Sequence, residues 1–126
     1  MIEEAYCSQE VAKLLKEKGF HIPVLSHYTK VGSVWHCEDR EDFNKEAEIE
    51  CYSRPTHQLT MRWLREVHKK IILIDFYRDV KYSYCILLQG ECGYNYVLHY
   101  SPRLENYATY EEAVEAALKY CLTNLI

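Results

Sequence analysis

Cysteine and histidine carry most of the latent chemistry of this chain, and two of them, Cys51 and His57, stand close together at the start of a helical pattern. A thiol beside an imidazole is an activated nucleophile, and the free amides of a helix start lower a thiolate's pKa. That pair defines a cysteine-enzyme reading. No flanking catalytic signature accompanies it, and there is no glycine-rich phosphate loop, no G-x-S-x-G and no kinase or dinucleotide fingerprint. Two sets of side chains could gather round a metal: His36 and Cys37 with Cys51 and His57, or Cys85, Cys92 and His99. Neither has the close C-x2-4-C spacing of a structural zinc site. Isolated core thiols and surface imidazoles account for them, so no catalytic residue, metal or cofactor is expected.

Two other groups of residues are suited to binding. The stretch "RPTHQLTMRWLREVHKK", residues 54 to 70, concentrates cations in a chain of net charge -4. Arg62, Arg65 and Lys69 share one side of a helix at 100° per residue, with Arg54 before it, and such a face suits phosphates or an acidic protein segment. A solvated helix face carries as many cations without any ligand. The second group is drawn from twelve tyrosines. Alternation puts Tyr82, Tyr84, Ile86 and Leu88 on one face of a strand, and Tyr94, Tyr96, Leu98 and Tyr100 on one face of its partner. Exposed, this ladder is a stacking platform or a protein contact; packed under helices, it is core with hydroxyls at the rim.

The elements that must position these groups follow from periodicity and caps. Ser8 precedes a stripe of Val11, Leu14 and Leu15 that ends near Gly19, predicting a helix over 9–18. Val-, Tyr- and Trp-rich runs around Lys30 to Ser33 predict a hairpin with strands near 24–29 and 33–37. The acidic run "EDREDFNKEAEIE", residues 38 to 50, reads as a solvated loop or helix, or as a counter-charge to the basic stretch. Thr56 caps a helix over about 57–69, whose stripe is Leu59, Trp63, Leu64, Val67 and Ile71. "IILIDFY" is a strand over about 71–77, followed by a turn at Arg78-Asp79; "YSYCILL" and "YNYVLHY" flank a loop with two glycines, completing a three-stranded meander over about 71–100. Thr109 and Glu112 form a capping box for a helix over 110–124. The fold class is α+β: an antiparallel sheet with helices on one face, preceded by a helix and a hairpin.

With 126 residues, 48% of them hydrophobic and only four Gly and three Pro, the chain is expected to fold as one domain spanning 1–126. Its acidic start does not resemble a signal peptide, and its longest apolar run is Ile71 to Ile74, so a soluble cytoplasmic protein with no membrane partner is expected, its six cysteines kept as thiols.

The order α-β-β-β-α from Thr56 to Leu125 resembles the double-stranded-RNA-binding domain. That family grips phosphates with lysines where its second helix begins; here the turn reads Thr109-Tyr110-Glu111-Glu112, with Glu115 following, and these anions argue against RNA binding. The stretches "EVAKLLKEKGF" (10 to 20), "RPTHQLTMRWLREVHKK" (54 to 70) and "YATYEEAVEAALKYCL" (107 to 122) resemble small uncharacterised proteins of gut Bacteroidales genomes and their phages or prophages. That resemblance implies a mobile-element origin and transfers no site. The leading functional reading is a non-enzymatic protein-interaction module, binding a partner protein or its own copy through Arg54, Arg62, Arg65, Lys69, Tyr82, Tyr84, Tyr94 and Tyr96. Second comes a nucleic-acid-binding accessory protein using the basic helix face, and third the cysteine enzyme.

Overall fold

Ser8 supplies what the first helix lacks at its start: its Oγ accepts the Val11 amide proton at 3.2 Å, one of the donors with no partner inside the helix. In the computed structural model, which describes residues 4–77, 81–102 and 106–126, this helix is α1 (Gln9–Glu17), close to the span that periodicity predicts. Gly19, at φ +86°, leads the chain out of it through the left-handed region open to glycine. Two compact units follow from the contacts, residues 1–56 and 57–126. No glycine- or serine-rich linker marks the division, which falls at the start of a helix.

In the first unit, α1 buries Val11, Ala12 and Leu15. Its sheet comprises β1 (Val24–Tyr28), β2 (Val34–Glu41) and β3 (Tyr52–Ser53), antiparallel in the order β2-β1-β3. The expected hairpin is present, but its second strand runs on into the acidic stretch. Glu38, Asp39, Arg40 and Glu41 are exposed on β2, whereas Asn44 is buried. Its Nδ2 donates to the Phe20 carbonyl at 2.8 Å and its Oδ1 accepts from the Ser53 amide at 3.0 Å. An amide that satisfies two buried backbone groups is a structural bracket, so the run is part strand and part core, not a uniformly solvated segment.

The second unit is the expected meander under two helices. β4 (Lys70–Tyr77), β5 (Lys81–Gln89) and β6 (Asn95–Tyr100) pair antiparallel in the order β4-β5-β6, and α2 (His57–His68) and α3 (Tyr110–Asn124) pack on it. The turn expected at Arg78-Asp79 lies outside the described residues. Thr109 Oγ1 accepts from the Glu112 amide at 3.1 Å, and the Glu112 carboxylate reaches back to the Ala108 amide at 3.2 Å, one residue before the cap. From that start α3 buries Ala113, Val114, Ala117, Leu118, Cys121 and Leu122.

α2 differs from expectation in its rotation. His57, Thr60, Trp63 and Leu64 are its buried residues, while Val67 is 58% exposed. Positions 57, 60 and 64 lie on one helical face, and that face is turned toward α3, where His57 Nε2 meets Glu115 Oε1 at 2.8 Å. Lys69, at φ +58°, then reverses the chain directly into β4.

Among the described residues, no helix is long and apolar enough to cross a membrane.

Candidate binding site

A cavity of about 430 Å³ opens between α2 and the start of β4. Leu59, Met61, Ile71 and Ile72, all half-buried, make its apolar walls. Arg62 and Arg65 are exposed at its mouth, with Gln58 and Tyr110 beside them. With Thr60 and Leu64 turned inward, Gln58, Arg62 and Arg65 stay exposed on α2 and line the cavity together with Ile71 and Ile72 of the outer strand β4. Arg62 Nε donates to Glu66 Oε1 at 3.1 Å in an exposed pair one helical turn apart. Among the described residues Arg65 has no ion-pair partner.

The other two cations expected to share this face do not line the cavity. Lys69 Nζ folds back onto the Glu66 carbonyl at 3.1 Å. Arg54 belongs to the first unit, where its guanidinium lies 3.9 Å from the Tyr6 ring centroid and its Nε donates to the Tyr28 hydroxyl at 3.3 Å. A guanidinium sandwiched among tyrosines is an aromatic-packing residue, so the basic patch shrinks from four side chains to two.

The tyrosines separate in the same way. Tyr84 is only 4% exposed; its ring lies against His99 and Tyr107, and its hydroxyl meets His99 Nε2 at 3.2 Å. Tyr82 is half-buried between Phe76 and Tyr110. Tyr94 and Tyr96, by contrast, are 71% and 60% exposed. Strict alternation along β6 also fails. Val97 lies opposite Leu87 and His99 opposite Ile86, so Leu98 is an extra, bulged residue, and Tyr100 comes to lie opposite Cys85 on the other face from Tyr84. The result is one aromatic set sealed under α3, where His99 stacks on Tyr120 at 3.5 Å, and another exposed along β6.

The exposed set lies on an edge strand. Among the described residues no strand pairs with the outer side of β6, and Tyr94, Tyr96, Val97, Leu98 and Tyr100 are all exposed there. From Tyr94 to Tyr100 there is no Lys, Arg, Asp or Glu. The β2 edge of the first unit is different: Glu38, Asp39, Arg40 and Glu41 follow one another along it. Charges on an edge strand discourage another strand from adding to it; β2 has that protection and β6 does not.

Cys51, Cys85 and Cys121 are poorly disposed to nucleophilic chemistry. Burial pushes the Cys51 thiol up, against a smaller downward pull from Lys16, which is the opposite of activation. Burial also raises Cys85, with Asp75 adding to the effect, and pushes Cys121 up to about 11. Cys85 and His99 sit on opposite faces of the sheet, because His99 pairs with Ile86, the residue after Cys85. All six cysteines are free.

One pair had no sequence signal. His57 and Glu115 are far apart in the chain, and only the packing of α2 on α3 joins them. With the carboxylate ionised, Nε2 donates and Nδ1 is left as an acceptor, buried and without a hydrogen-bond partner. His57 is 3% exposed, so the pair ties two helices together and is closed to a substrate from solvent.

No family model, curated protein or solved structure matches this chain.

Proposed function

We propose that the chain is a small protein-interaction module of phage or prophage type, acting in the cytoplasm by binding and carrying out no chemistry of its own. The observation that carries this reading is the outer edge of β6: its side away from β5 has no strand partner among the described residues, carries no charge, and exposes Tyr94, Tyr96, Val97, Leu98 and Tyr100. Such an edge offers a row of backbone donors and acceptors together with aromatic area, the two ingredients of recognition by strand addition. The raised thiols speak against the enzyme reading. Nucleic-acid binding is less well supported, since residues 57–126 contain eight basic and eight acidic side chains and lack the basic field that draws a polyanion.

Photo-crosslinking tests the proposal. A benzophenone side chain at position 96 is expected to give discrete protein adducts, with a second copy or with another protein, that disappear when Val97→Lys places a charge on the edge. The same group at exposed Lys119 serves as the control. Identical adducts from positions 96 and 119, or none from 96, would remove the proposal.

A further inference from the structure

We infer that the α2–β4 cavity takes an acidic peptide segment of a protein partner, with an apolar side chain inserted between the helix and the strand and a carboxylate held by Arg62 and Arg65. The inference rests on the protein-binding reading but uses a surface separate from β6. Arg65 has no ion-pair partner among the described residues, and Arg62 holds Glu66 only through Nε, in a pair whose side chains are 65% and 58% exposed. So exposed a pair is weak and yields to a better acceptor. The remaining guanidinium protons of both arginines point to one class of group, an anion accepting charge-assisted bonds.

The walls decide which anion. Leu59, Ile71 and Ile72 form an apolar surface that stays partly wet while the cavity is empty. A phosphate backbone has nothing apolar to offer it, whereas a peptide with alternating acidic and aliphatic side chains satisfies both parts at once. Volume agrees: about 430 Å³ holds one or two side chains, and a duplex cannot enter. Net charge agrees as well, because the eight basic and eight acidic side chains of residues 57–126 create no long-range pull on a polyanion, leaving the arginines to act at contact distance. Tyr110, 37% exposed, also lines the cavity.

The test is a titration of the isotope-labelled full chain, following the Arg62 and Arg65 side-chain signals and the Ile71 and Ile72 methyls. The probes are a short capped peptide of alternating glutamate and leucine, the same peptide with glutamine for glutamate, the same with serine for leucine, and random duplex DNA. The glutamate–leucine peptide is expected to move all four residues saturably, and each altered peptide to bind about tenfold more weakly, the loss expected for one charge-assisted contact or one buried aliphatic side chain. Arg65→Glu should abolish the shifts; because Arg65 is exposed, the rest of the spectrum should stay unchanged. Val97→Lys should leave the titration intact, so failure at β6 and failure here are separate results. Methyls that stay still at millimolar peptide would overturn the inference. DNA moving the same signals more tightly than the peptide would overturn it too, and would make the cavity a phosphate site.

Discussion

Gly90 shows how one residue can be required for a reason other than backbone freedom. Its φ of -92° is open to any residue, but its amide bonds to the Tyr94 carbonyl at 2.7 Å, and an added methyl would collide with that carbonyl oxygen and with the Tyr96 ring. Backbone cannot give way as a side-chain tip can. Gly90→Ala is therefore expected to destabilise the protein by about 1–3 kcal/mol through overpacking, read as a lower urea midpoint with an unchanged slope. Of the two loop glycines, only Gly93, at φ +80°, uses the freedom for which the sequence suggested both. The thiols support a second prediction at this scale. Cys92 is exposed in the β5–β6 turn, whereas Cys85 and Cys121 are buried with raised pKa values. Iodoacetamide near neutral pH should modify Cys92 first and reach Cys85 and Cys121 only as the chain unfolds. Mass spectrometry of timed digests gives the order, and early labelling of Cys121 would contradict the burial described.

Among the elements, α3 was the most legible in the sequence and α2 the most deceptive. Thr109 caps α3 through one local bond, 3.1 Å long, and Thr109→Ala should cost about 1 kcal/mol of stability. A thermal midpoint that does not move would mean that the cap contributes nothing measurable. The apolar stripe behind that cap was readable because successive turns of one helix face a single sheet. In α2 the same periodicity placed Val67 inside and left Thr60 out, and the packing reverses both. Leu59 to Val67 is amphipathic enough to sit at more than one rotation, and the His57–Glu115 hydrogen bond, joining residues of two helices, goes with one of them. β6 carries a comparable lesson: alternation holds only until a strand gains a residue, and the Leu98 bulge sends Tyr100 to the opposite face from the one expected. Of the candidate surface residues, Arg62, Arg65, Lys69, Tyr94 and Tyr96 remain exposed, while Tyr84 is buried, Tyr82 is half-buried and Arg54 is stacked on tyrosine.

Taken over the whole molecule, charge and protonation are unevenly divided. Residues 1–56 contain seven basic and eleven acidic side chains, so the net -4 belongs to that unit and the second unit is balanced. Three histidines spread over the two units, His27, His68 and His99, all have pKa values below the ordinary 6.5, burial being the first cause in each; Lys70 lowers His68 further and Glu41 partly offsets the fall at His27. A lowered imidazole pKa means that the unfolded chain takes up the proton first as pH falls. Their contribution to stability is therefore complete above about 6.5 and is lost as pH drops through the lowered values. Urea midpoints should fall between pH 7.5 and 5.5, and the fall should be smaller in His99→Gln. A midpoint flat across that interval, or one with the opposite slope, would show that these rings are not desolvated on folding.

The sequence by itself determined the α+β class, the helix starts at Ser8 and Thr109, the meander and the absence of a long apolar span, because caps, periodicity and composition act within a few residues. Tertiary structure decided which face of α2 is buried, that Asn44 within the acidic run belongs to the core, that the tyrosines divide between core and edge, and that Arg62 and Arg65 line one cavity with Leu59, Ile71 and Ile72. Each of those outcomes depends on residues far apart in the chain competing for the same contacts, and local pattern carries no record of which contact wins.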